Sequence, residues 1–221
     1  MTDWQPLALS FRVALVATAL ATIIGVAIGL ALSSKRMPGR DLIDAVTSAP
    51  LVMPPTVLGY YVLVMLGRHS FIGQAWHSLF GSSIVFSVTG AVIAATLGAL
   101  PLVIKAARAA LEGVDETLLK AARSLGAGPL RAFWTIHLPL AGRGLIAGVM
   151  LAFARSLGDF GVTLMVAGDI PGQTQTASLA IYDLIQSHEE RAAAGMVALL
   201  TAIAVFALYV VNKLTAKRTH G

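Results

Sequence analysis

Apolar residues run along this chain in long blocks, and polar positions gather between them. Five blocks are nearly free of charge: Leu7 to Leu32, Val46 to Leu66, Ser82 to Ile104, Leu145 to Val166 and Ala192 to Val211. A helix rising about 1.5 Å per residue needs about 20 residues to cross a hydrocarbon core of about 30 Å, and each block reaches that length. None alternates as a barrel strand would, and backbone groups in lipid must be satisfied within the protein. The pattern therefore predicts an all-α polytopic membrane protein of about five spans, forming a single transmembrane domain over residues 1–221.

Several blocks carry residues that a plain anchor does not need. Gly25 and Gly29 on the first, and Gly144 and Gly148 at the fourth, make GxxxG spacings. These let helix backbones approach closely and read as ordinary packing. The second block contains Pro50, Pro54 and Pro55. Each proline removes a donor and costs about 3 kcal/mol inside a helix. Broken helices at membrane depth occur where they are buried in protein or line a cavity. Pro54 and Pro55 mark either a pathway-lining kink or simply the start of a helix. In the fourth block, Arg155 lies near the middle of Phe153-Ala-Arg-Ser-Leu-Gly-Asp-Phe-Gly161. A lone charge there costs at least about 2.5–3.5 kcal/mol. Asp159, four residues on, shares its helical face and can neutralise it. The pair either holds the bundle interior together or lies on a pathway and helps set gating or anion passage.

Composition agrees with the blocks: 57% of residues are hydrophobic and 12% charged, and mean hydropathy is +0.79. Soluble domains carry about 25% charged residues. The basic residues are unevenly placed. Lys35, Arg36 and Arg40 follow the first span; Lys105, Arg108, Lys120, Arg123, Arg131 and Arg143 follow the third; Lys213, Lys217 and Arg218 follow the fifth. Only Arg68 and Arg191 fall on the opposite side, with Arg12 and Arg155 inside spans. The positive-inside rule predicts an external amino terminus and a cytoplasmic carboxyl terminus. The net charge of +5 has the same origin. These charges flank spans without an aromatic-rich basic groove, so nucleic acid is not the expected partner. The chain opens with Asp3 and no basic residue before Arg12, unlike a cleaved signal peptide, so the first span is expected to stay. With no cysteine and with His69, His77, His137, His188 and His220 scattered, no metal site is expected and the histidines read as solvated.

The connection from Lys105 to Arg143 is too long for a turn and too apolar for disorder. Leu118, Leu119, Ala122 and Leu125 recur at helical spacing, Gly126 is a natural stop, and Pro129 suits a first helical turn. The expectation is a helix, a sharp turn at Gly126-Ala-Gly128, and a second short helix ending at Pro139. Such a platform either receives force from a partner or lies on the bilayer surface.

The same segment carries a resemblance. Ala121-Ala122, Gly126, nine intervening residues, then Ile136, one residue and Leu138-Pro139 resemble the EAA signature of binding-protein-dependent ABC importer permeases, with Lys120 where the naming Glu would stand. The resemblance implies a type I importer permease fold and a loop, about 105–143, whose coupling helix fits a cleft on a separate ATPase. Further segments resemble the molybdate permeases: Ala49 to Tyr60, Phe153 to Gly161, and Gly168-Asp-Ile-Pro-Gly-Gln-Thr-Gln-Thr176 with Ala180-Ile-Tyr182. Sulfate and thiosulfate permeases are close relatives, usually longer, and are the alternative.

The resemblance further implies an assembly of two permeases, two ATP-binding subunits and one external oxyanion-binding protein. ATP and Mg are used by the partner; this chain holds no cofactor. It has no GxxxxGK[ST] loop and so is not itself the ATPase or an enzyme. Five spans without an internal repeat also favour a symmetric pair with the path at its interface. The segment from Ala167 to Arg191, with Asp169, Asp183, Glu189 and Glu190, reads as a landing surface for the binding protein, an outer gate, or a solvated loop. Leu179, Ile181, Tyr182, Leu184 and Ile185 could cover one face of a short helix there. A secondary transporter would use Arg155 and Asp159 as a proton relay and need no docking motif. An intramembrane enzyme would need a nucleophile with its base, or a metal cluster, and no such set exists in the spans.

Overall fold

Small residues on facing sides let two parallel helices organise the bundle. The computed structural model describes residues 4–34 and 37–216, without the side chains of residues 116 and 214–216. Helices α1 (Gln5–Ser33) and α5 (Val88–Glu112) run side by side in one direction. Val13 and Ala17 pack with Ala91 and Ala95, and Ala21 with Ala99 and Val103. A Cβ at Gly25 would lie 2.8 Å from Val103, and one at Gly29 2.7 Å from the Ala107 Cβ. Helix α8 (Leu138–Leu157) runs the other way on α5, with Gly148 against Ala106 and Gly144 against Ala110. Both GxxxG pairs thus serve close packing on one central helix. Around this trio lie α9 (Gly161–Ala167), α10 (Ala177–Gln186) and α11 (Glu190–Ala216). Gly195, near the start of α11, meets Trp4 at the start of α1, so α11 ends at the opposite end of the bundle.

Among the described residues, Gln5–Ser33, Val88–Glu112, Pro129–Leu157 and Glu190–Lys213 are long and apolar enough to cross a membrane. A fifth candidate is a bent pair, α2 (Arg40–Val52) and α3 (Pro55–Leu66), whose axes differ by 113°. Pro54 and Pro55 make this break. Pro50 is accommodated inside α2, while Pro55 opens α3 where its missing donor is harmless. The short amphipathic α4 (Phe71–Phe80) follows, capped by Ser70, whose Oγ accepts from Gly73 N at 2.9 Å.

Three expectations need correction. The third span starts at Val88 rather than Ser82 and continues to Glu112, which takes Lys105 and Arg108 out of the loop and into a helix. The cause is distant: Asp44 on α2 meets Arg108 Nη1 at 2.8 Å and Lys105 Nζ at 3.8 Å, while Glu112 bonds Arg108 Nε at 3.0 Å and also pairs with Arg40. The fourth span does not run unbroken from Leu145 to Val166. It stops at Leu157 and resumes as α9. Third, Pro139 ends no helix. α7 (Pro129–Ala132), a π-helical turn (Phe133–His137) and α8 form one continuous rod. The wide turn, in which Leu138 N donates to Phe133 O, absorbs the donor that Pro139 lacks. The basic residues Lys35, Arg36, Lys217 and Arg218, with Asp3 and His220, lie outside the described residues.

Candidate functional site

Two groups of side chains stand out, one at each of two helix interruptions. The first is the elbow between α5 and α8. Asp115 starts α6 (Glu116–Ser124) by accepting Thr117 N at 2.8 Å, and that bond holds its carboxyl below the usual aspartate range. At the other end, Ala127 N donates to Ala122 O and Gly126 N to Arg123 O, both at 3.0 Å. This is a Schellman stop, and it puts Gly126 at φ +86°. Pro129 then starts the returning rod. Ala122 and Ala132 are buried at the elbow, whereas Leu125 is 89% exposed and Trp134 60%. Leu118 and Leu130 are exposed as well, so the tip presents apolar side chains to its surroundings.

The two halves of the signature are brought close here. Ala121, Ala122 and Gly126 form α6 and its stop, while Ile136 and Leu138 are half-buried in and just after the π turn. Pro139 lines, with Asp115, Leu118 and Arg143, a hollow of about 450 Å³ between the elbow and α8. His137 is not simply solvated: its Nε2 lies 3.0 Å from Leu111 O at the end of α5 and ties the rod to that helix. Nothing in its sequence neighbourhood points to Leu111, which is brought to it by the return of the chain.

The second group sits where both broken spans meet. A Cβ at Gly161, the first residue of α9, would lie 2.6 Å from the Pro55 Cβ, so the two breaks are in contact. Arg155, in the last turn of α8, bonds Asp159 Oδ1 at 2.8 Å. Asp159 Oδ2 accepts from Thr163 N at 3.1 Å and Thr163 Oγ1 at 2.6 Å, and Ser178 Oγ donates to the Asp159 carbonyl at 2.7 Å. Asp159 is 3% exposed, but the Arg155 side chain is 37% exposed. A Cβ at Gly98 would come within 3.3 Å of Arg155 Nη2. Asp159 therefore joins three helices, α8 and α9 through its buried carboxylate and α10 through its backbone carbonyl, while its guanidinium partner keeps one face open. Thr163, Ser178 and Gly98 were not legible from local sequence, because each acts from another element or another turn.

The sequence matches, over residues 17–221, the family described as binding-protein-dependent transport system inner membrane component. The chain belongs to this family. The permease is 44% identical over 209 residues to the molybdenum transport system permease protein ModB of Escherichia coli, covering 94% of this chain and 91% of that protein. It is 32% identical to the sulfate transport system permease protein CysW of Synechocystis sp., covering 96% of this chain and 76% of the relative. Its fold is that of the MetNI methionine ABC transporter in inward-facing conformations, with a TM-score of 0.69 at 18% identity over 96% of this chain and 95% of that one. The permease is thus a multi-pass inner-membrane subunit of an ABC importer and not an enzyme; the ATPase is a separate chain.

In the segment after α9, the permease departs from the expected amphipathic reading. Helix α10 buries Leu179 and Ala180, whereas Tyr182 and Ile185 face outward. Burial raises the Asp169 carboxyl above the ordinary aspartate range, a shift opposed by a hydrogen bond with Gln175 and reinforced by Asp183.

Proposed function

We propose that this permease passes molybdate, or the isostructural tungstate, from an external binding protein into the cytoplasm. The observation that carries the reading is the 44% identity to a molybdenum permease along nearly the whole of both chains, against 32% for a longer sulfate permease. Two copies of the permease enclose the path, and two ATP-binding subunits drive it with ATP and Mg. Residues 1–221 act as one transmembrane domain whose amino terminus is external and whose carboxyl terminus is cytoplasmic. This orientation places the elbow, with Lys120, Arg123, Arg131 and Arg143, on the cytoplasmic side.

The elbow is the docking element. Helix α6, with Ala121, Ala122 and the stop at Gly126, seats on the ATPase, and Ile136, Leu138 and Pro139 pass its displacement into α8. Exposed Leu125, Leu130 and Trp134 give the partner an apolar surface to cover. Because the π turn, α8 and the elbow are joined, ATP-driven closure of the ATPase pair moves α8 as a rod. Its far end is the Arg155–Asp159 knot, packed near the Pro54–Pro55 break, and we assign the pathway constriction to this level. The open face of Arg155 offers a passing dianion a fixed positive charge whose partner carboxylate is buried and satisfied.

Labelled molybdate uptake tests the cargo, in cells lacking their own permease and supplied with this chain, its ATPase and its binding protein. Uptake that persists in large sulfate excess is expected. Uptake abolished by sulfate would move the assignment to the sulfate class. Loss of uptake on ATP depletion with the proton gradient held is also expected; persistence would favour a secondary transporter.

A further inference from the structure

A cavity of about 390 Å³ opens at the end of the bundle opposite α6. Its walls include Leu9, Val88 and four polar side chains: Gln5, Arg12, Gln173 and Gln175. Among the described residues, no Asp or Glu lines it, and Arg12 makes no ion pair or hydrogen bond with any of them. Asp169 engages the side chain of Gln175 by a hydrogen bond, and the Gln175 amide has a second proton to give.

The walls are held in place. Ile170 O accepts from the backbone N–H groups of Gln173, Thr174 and Gln175 at 3.0, 2.9 and 3.1 Å. Buried Thr174 closes the same loop, its Oγ1 donating to Gly168 O at 3.0 Å and accepting from Ile170 N at 3.2 Å. The loop is pinned to α1 next to Arg12, where Ala177 N donates to the buried Ser10 Oγ at 2.7 Å. Ordered backbone thus carries two carboxamides and sets them beside one guanidinium.

We propose that Arg12, with Gln173 and Gln175, forms a binding site for a tetrahedral oxyanion. A guanidinium presents parallel donors that match two oxygens of such an anion. Neutral amide donors can serve the remaining oxygens without adding charge. A free dianion and the phosphate of an anionic lipid headgroup share this chemistry. The site stands apart from the docking and pathway readings, because it concerns binding to the permease with no ATPase step.

The test uses the complete permease–ATPase complex in two arms. In phosphatidylcholine nanodiscs, equilibrium dialysis measures labelled molybdate bound without nucleotide or binding protein. In the second arm, native mass spectrometry counts phosphatidylglycerol retained against phosphatidylcholine. Arg12→Gln is expected to weaken one arm by about tenfold, the scale of a lost charge-assisted bond, while Arg12→Lys, which keeps the charge but not the paired donors, recovers only part of it. Gln173→Ala, on the exposed loop, should weaken the same arm severalfold and serves if Arg12→Gln fails to assemble. Loss in the first arm assigns a free oxyanion, and loss in the second a lipid headgroup. Absence of binding in both arms, or values unchanged within about twofold in the variants, overturns the site.

Discussion

Gly126 makes its contribution through the backbone alone. A Cβ there would meet nothing within 4 Å, yet the residue sits at φ +86°. A β-branched residue is strained at that angle whatever the space, by about 1–3 kcal/mol, whereas Asn tolerates it. Gly126→Val should therefore abolish uptake while membrane levels persist, and Gly126→Asn should retain much of it; equal uptake in both would remove the turn from the mechanism. Arg155 poses a different problem, because its removal strands a buried carboxylate. Breaking such a pair costs about 3–5 kcal/mol, and the exposed side of Arg155 places this case near the lower limit. If the pair only holds the bundle, Arg155→Ala should lower thermal stability and uptake more than Arg155→Ala with Asp159→Ala. Equal loss of uptake in single and double variants, with stability restored in the double, is the signature of a direct role in the path.

At the scale of elements, α8 carries its own controls. Gly142, Gly144 and Gly148 lie on one helix, but only the last two face α5. A Cβ at Gly148 would sit 2.3 Å from the Ala106 Cβ, while one at Gly142 meets nothing. Gly142→Ala should hold or raise the melting temperature, by up to about 1 kcal/mol of helix propensity, and Gly148→Ala should lower it. A Gly148→Ala protein as stable as wild type would mean that the α5–α8 seam opens in the membrane. The same elements show what sequence could reveal. Block lengths exposed the spans because lipid imposes them, and Pro54–Pro55 exposed one break because proline deletes a donor locally. The α8–α9 break stayed hidden, since Arg155 and Asp159 at four-residue spacing suit an unbroken helix, and the groups that fix Asp159 past its end include Ser178 on α10. Lys105 and Arg108 looked like loop residues because their counter-charge, Asp44, is remote in sequence. The EAA-like signature was legible as spacing, but its π turn and the His137 tie to Leu111 were not.

For the whole molecule, the decisive question is which end faces the cytoplasm. Helices α1, α5 and α11 run in one direction and α8 in the other, so the start of α1 and the end of α11 lie at opposite ends of the bundle. Basic residues of the elbow, with Arg40 and Lys213, cluster at the α6 end, where the positive-inside rule puts the cytoplasm. The chain has no cysteine, so a single introduced thiol can be followed without background. Ser124, exposed at the end of α6, and Gln173, exposed on the loop beside Arg12, mark the two faces. In intact cells, a membrane-impermeant maleimide should label Gln173→Cys and spare Ser124→Cys, and inverted vesicles should reverse the pattern. Labelling of Ser124→Cys from outside would place the elbow away from any cytoplasmic ATPase and remove the docking reading together with the orientation. Adding the ATPase subunit extends the same experiment to docking. If α6 seats in its cleft, Ser124→Cys in inverted vesicles should become protected on binding, while a thiol at Lys213, on the same face but away from the elbow, should stay reactive.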